Sequence, residues 1–134
     1  MEIFDPRAIA QPVYQKLTQL RGNLGKEDPV VKQQKGQAVQ LYTYIATWGL
    51  LRLKAEEKAL KDQKGKKDVV IAFFETIQEL WAVPNKDIAS ENGLKTLTEL
   101  EPEDYLGITG LGLKVAQEFS FWATAIYHDV SGEE

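Results

Sequence analysis

The chain has 134 residues, 43% of them apolar and 27% charged, with a formal net charge of −4. That length predicts a single domain, 1–134, large enough to bury a core without a covalent staple. Cysteine is absent and histidine occurs once, as His128; disulfides, thiolate nucleophiles and thiolate metal sites are excluded, and a Ser-His-Asp triad would depend on one residue near the C-terminus.

Helix signals dominate from the start. Asp5-Pro6 reads as a cap followed by a first-turn proline, and Ile9, Val13, Leu17 and Leu20 then recur at helical spacing. Gly22 and Gly25 close that helix. Asp28-Pro29 repeats the device and opens a predicted long helix to about Lys61, with Val31, Ala38, Leu41, Tyr42, Ile45, Trp48 and Leu53 on or near one stripe. At ~1.5 Å of rise per residue it spans roughly 50 Å, and its charged last turns project beyond the core.

Residues 62–67 read as a polar loop. Asp68 reads as the N-cap of a helix from Val69 to about Ala82, ended by Pro84, with Val70, Phe73, Phe74, Ile77, Leu80 and Trp81 on its apolar face. Residues 85–101 read as a short helix broken at Asn92-Gly93, then a turn, anchored by Leu94, Leu97 and Leu100. Pro102 opens a brief helical turn through Tyr105 and Leu106. A last helix runs from about Thr109 to His128, where Leu111, Val115, Phe119, Trp122 and Ile126 recur at steps of four, four, three and four.

No stretch alternates with period two for long enough to require a strand. The predicted fold is therefore an all-α, single-domain bundle of about five or six helices with one long helix. Its core draws on Ile9, Val13, Leu41, Ile45, Phe73, Ile77, Leu80, Trp81, Val115, Phe119 and Trp122. There is no basic-then-apolar N-terminal pattern and no apolar run approaching ~18 residues, so no membrane contact and a cytoplasmic location are expected.

Charge is unevenly placed. Between Arg52 and Lys67 seven basic residues face three acidic ones, a local net of +4, whereas residues 85–104 carry a local net of −4. Lys54, Lys58 and Lys61 follow at steps of four and three, predicting one basic helix face that Lys64, Lys66 and Lys67 extend. Phosphate backbones need such point charges but no fixed geometry, and the same run also suits an ordinary solvated helix end. Glu75 and Glu79, one turn apart, have the spacing to share a magnesium ion. No second acidic pair faces them in the sequence, so a solvated face is the expectation and no metal, cofactor or catalytic residue is assigned.

The string from Tyr105 to Ala116 resembles a helix-hairpin-helix motif, with Ile108, Gly110, Leu111, Gly112 and Ala116 in register and Lys114 adding charge. In that reading residues 105–119 form a stand-alone DNA-binding module whose glycines let backbone amides reach a phosphate. Glu101, Glu103, Asp104 and Glu118 flank the turn and oppose it.

A second pattern covers more of the chain. Arg7-Ala8, Ala10 and Val13, then Tyr42 or Tyr44, then Gly49-Leu50-Leu51 leading into a helix, and finally Tyr105, Ile108, Thr109, Leu113, Val115, Trp122 and Ala123 resemble the small all-helical subunit of type III-B CRISPR (Cmr) effector complexes. The likeness spans most of positions 7–127. It departs from that family at Trp48, where an asparagine is frequent, and at Ser120-Phe121, where a basic pair is frequent.

The resemblance implies a non-catalytic subunit in antiviral defence. Its partners would be other Cmr-type subunits, neighbouring copies of itself, and the backbones of guide RNA and target RNA. The missing basic pair leaves Arg52, Lys54, Lys58, Lys61, Lys64, Lys66 and Lys67 as the expected nucleic-acid-binding surface. In this reading Thr109 caps the final helix and Gly112→Ala is neutral or stabilising; in the hairpin reading the same change blocks DNA.

Overall fold

The capping devices visible in the sequence start the first two helices. The computed structural model describes residues 5, 7–60, 62–81 and 86–131; Pro6, Lys61, Ala82, Pro84 and Asn85 lie outside them. At the head of α1 (Arg7–Arg21) the Asp5 carboxylate accepts the Arg7 backbone N–H at 2.9 Å and its guanidinium at 2.8 Å. Asp28 accepts the Val30 N–H at 2.9 Å, and Pro29 fills the first turn of α2 (Pro29–Val39), where a missing N–H leaves no bond unmade.

The long helix expected from Pro29 to Lys61 is instead three helices. After α2 the chain leaves helical geometry at Gln40, forms α3 (Leu41–Trp48), turns at Gly49 and continues as α4 (Leu50–Ala59). Gly49 has φ 88° and ψ 169°, a region essentially closed to residues with a Cβ. The breaks let one apolar stripe bend around the core, so Leu41, Ile45, Leu50 and Leu53 are all buried. A straight rod would carry its far end past that core.

Helix α5 (Lys64–Trp81) begins before the expected Asp68 cap, so most of the predicted polar loop is helical. Asp68 instead pairs with Lys64 one turn back, at 3.0 Å. Gly65 nests against α2, where its N–H donates to the Gln33 side chain at 2.9 Å. A short α6 (Gly93–Glu99) follows.

The long helix of the fold is α7 (Pro102–Ile126), 25 residues. It merges the expected brief turn with the expected last helix. Gly107, Gly110 and Gly112 all lie inside it, and among the described residues the positive-φ glycines are Gly22 and Gly49. Thr109 is therefore mid-helix and caps nothing, and the interhelical turn of a hairpin motif does not form. Burial explains the override. Ile108, Gly112, Val115, Ala116 and Phe119 continue one buried face across the glycines, and tertiary packing outweighs their poor propensity.

Gly112 itself is pressed against α4, where an added Cβ would lie 2.9 Å from Leu50 Cδ2. Leu50 is fully buried and has little room to yield. Overpacking of about 1–3 kcal/mol thus outweighs the ~1 kcal/mol gained in helix propensity, so Gly112→Ala is expected to destabilise, by about 1 kcal/mol. Exposed Gly110 has nothing within 4 Å of such a Cβ, so Gly110→Ala should stabilise by up to ~1 kcal/mol. Thermal melts of the two variants side by side check the opposite signs.

Among the described residues there are seven helices and no strand. Helix α2 packs on α5, while α1 and α3 pack on α7, around one apolar cluster. Of the expected core, Ile9, Val13, Leu41, Ile45, Phe73, Ile77, Val115 and Phe119 are buried; Leu80, Trp81 and Trp122 are half-buried at its rim. No helix among the described residues is long and apolar enough to cross a membrane.

The end of α7 is fastened to the first two helices. Arg21 donates to both oxygens of Asp129, at 2.6 and 3.0 Å, and to the Ile126 carbonyl at 2.9 Å. Lys35 donates to the Val130 carbonyl, and the buried Tyr127 hydroxyl donates to Gln34 Oε1 at 2.7 Å. The Arg21 side chain holds the Asp129 carboxyl at about 2, below its ordinary 3.8. A carboxyl whose folded pKa is depressed stabilises the fold above its unfolded value and loses that contribution as pH falls toward the folded one. Wild-type stability should therefore drop more steeply than that of Asp129→Asn between about pH 4 and pH 2, as read from denaturation midpoints across that window.

Candidate nucleic-acid interface

The helical register of α4 decides which of the expected basic residues share a surface. Successive residues rotate by about 100°, so Arg52 points to the opposite side of α4 from Lys54 and Lys58. Arg52 is exposed, and its guanidinium stacks over the Trp48 ring at 4.5 Å from the centroid.

Lys54 does not face solvent. Its side chain is 3% exposed, and its ammonium donates to Glu57 at 3.0 Å and to the Ala89 carbonyl at 3.0 Å. The same nitrogen lies 4.9 Å above the Phe74 ring. An ammonium has three donors, and these contacts account for its burial: charge, carbonyl and ring face together replace water. Lys54 thereby fastens the 86–92 segment to α4. Gln78 helps, donating to the Lys86 carbonyl at 2.7 Å and accepting the Ile88 N–H at 2.6 Å. Hydrogen bonds from Ser90 hold the Asp87 carboxyl below its ordinary value.

Lys58 is exposed on the last turn of α4, and Lys61 lies outside the described residues. Across the turn, Lys64 opens α5 with its side chain 74% exposed and shared with Asp68. Lys66 is half-buried and engaged with another group. Lys67 meets Lys58 in a cleft of about 150 Å³ whose other walls are Lys54, Glu57, Glu91 and Leu94. The α4–α5 corner thus brings Lys58 and Lys67 to one cleft, with Lys64 at the head of α5, and leaves Arg52 apart. Glu91, from the acidic stretch, reaches into the same cleft, so the two oppositely charged segments meet rather than separate.

The acidic pair on α5 has a partner of its own. Lys16 of α1 lies 3.3 Å from Glu75 and 3.2 Å from Glu79, where a shared cation would sit. Burial disfavours the Lys16 charge, yet the two carboxylates outweigh it and raise its pKa. The pair is a helix–helix clamp, and no group of three or more His, Asp or Glu side chains suited to a metal ion occurs among the described residues.

Two polar features carried no signal in the sequence. Tyr44 donates to Glu56 at 2.5 Å, and burial followed by that carboxylate pushes the phenol up to about 12. Tyr127 is buried with Gln34, and burial raises its pKa as well. Both are structural ties between helices. Comparison with protein-family models, curated proteins and solved structures finds no match.

Proposed function

We propose that this chain is a non-catalytic small subunit of a Cmr-type RNA-guided effector complex, and that its α4–α5 corner rests against the phosphate backbones of guide and target RNA. The observation that carries the proposal is the cleft at the α4–α5 corner that Lys58 and Lys67 line together, with exposed Lys64 at the head of α5. The residue pattern over positions 7–127 and the all-helical architecture support the same reading. Gly49-Leu50 opens a helix, as that pattern implies.

Lysines on a turn neutralise phosphates without reading bases, so the contact is independent of sequence. Glu57 and Glu91 beside them, with the net charge of −4, keep the affinity of one copy low. Several copies along one duplex multiply it through effective concentration. The continuous helix through residues 105–119 removes the turn on which the DNA-hairpin alternative depended.

The test is a reconstituted complex carrying Lys58→Glu, Lys64→Glu and Lys67→Glu together. RNA affinity should fall, and each lost phosphate contact should reduce the log–log salt slope by about one unit. A tagged wild-type copy should co-purify with guide RNA and Cmr-type subunits. Unchanged RNA binding in the triple variant rejects the corner as the interface.

A further inference from the structure

Helix α7 turns one face to solvent over its first four turns. On that face lie Glu103, Gly107, Gly110 and Lys114, at steps of four, three and four, with Leu106 at its edge. Leu106 is 73% exposed. A Cβ at Gly107 or Gly110 would meet nothing within 4 Å, and neither residue has positive φ, so the chain's own packing requires neither glycine. Each weakens the helix and flattens its surface enough for another backbone to approach. Neither Glu103 nor Lys114 forms an ion pair with any described residue.

The charges say what covers this face. Glu103 and Lys114 are centred on the same point of the helix as Gly107 and Gly110, midway between Ile108 and Thr109. Two such helices laid antiparallel about a twofold axis through that point set each Glu103 against the other copy's Lys114. Each Gly107 then faces the other copy's Gly110, and each Leu106 packs over that glycine. We infer that this face of α7 is a homodimer interface, filled by the same face of a second copy running antiparallel. The contact is isologous and closes on itself, so it yields a pair and not an open stack. It does not rest on the RNA-binding reading.

Sedimentation equilibrium of the full chain, from micromolar to millimolar concentration at low salt, tests the pair. Wild type should fit a monomer–dimer equilibrium with no larger species. Lys114→Glu replaces two ion pairs by like charges and should weaken pairing about tenfold, and adding Glu103→Lys should restore it. Gly110→Gln should dissociate the pair while raising the melting temperature of the monomer, which separates lost pairing from lost folding.

The absence of cysteine allows a direct readout of register. Glu103→Cys chains mixed with Lys114→Cys chains should cross-link on oxidation. Either alone should not, because like positions then lie eleven residues apart along the helices, about 16 Å. A monomer at every concentration, larger species that grow with concentration, pairing unaffected by Lys114→Glu, or equal cross-linking by a single variant each overturns the inference.

Discussion

Replacing Phe119 with alanine lowers the stability of the free chain by about 3–5 kcal/mol. The side chain is fully buried on α7, and its ring meets Phe73 of α5 edge to face, with centroids 5.8 Å apart and an interplanar angle of 84°. Phe73 in turn meets Phe74 at 5.2 Å. Truncation therefore loses the transferred ring, leaves a cavity between two helices, and forfeits an edge-to-face contact worth about 0.5–1.5 kcal/mol beyond its area. Phe121, two residues on, is 60% exposed, and its alanine variant should stay within about 0.5 kcal/mol of wild type. Urea denaturation reads both, through a shifted midpoint at constant slope. A loss below about 0.5 kcal/mol for Phe119→Ala would place the ring outside the core.

Gly65→Ala is the other large effect, a loss of about 1–3 kcal/mol even though alanine is the better helix former by ~1 kcal/mol. An added Cβ would run into the Val30 carbonyl oxygen and lie 2.6 Å from Gln33 Cβ. These obstacles belong to the body of α2, not to the tip of a flexible side chain, so relief requires α2 and α5 to move apart. That movement also stretches the Gly65 N–H bond to Gln33. Thermal unfolding followed by circular dichroism measures it. A raised melting temperature would mean that α2 and α5 do not approach as closely as the structure shows.

The apolar periodicity made the core readable because burial writes itself into spacing: Phe73, Ile77, Val115 and Phe119 fall at helical steps and are buried. Helix boundaries were less legible. The stripe from Val31 to Leu53 is continuous in sequence although Gln40 and Gly49 bend the chain between its parts. A stripe records which residues face inward, not whether the axis stays straight. Glycine is ambiguous in a sequence: Gly49 lies within the predicted long helix and breaks it, whereas Gly110 and Gly112 sit at a turn in the hairpin resemblance but inside a helix in the reading from Thr109 to His128, and they lie inside α7.

The basic surface was legible only in part. Lys58 and Lys67 line one cleft, but Lys54 is buried because Glu57 lies one turn on and the Ala89 carbonyl arrives from far along the chain. The first partner was visible as an i,i+3 spacing. The second depends on how the 86–92 segment folds back, which no local pattern encodes.

The fastening of the chain's two ends sets the order in which the molecule is made. Arg21 and Asp129 are 108 residues apart, Lys35 and Val130 95, and Gln34 and Tyr127 93. During synthesis at ~5–20 residues per second, roughly 5–20 s separate the emergence of α1 and α2 from that of these partners. In that interval Ile9, Val13 and Leu17, whose helix packs on both α5 and α7, have α5 alone to bury against. Contacts this distant in sequence also carry the loop-closure entropy that slows folding. The nascent chain therefore passes through a window in which its first helix is covered on the α5 side only, and a chain released before α7 is complete leaves the rest of that apolar face open to aggregation.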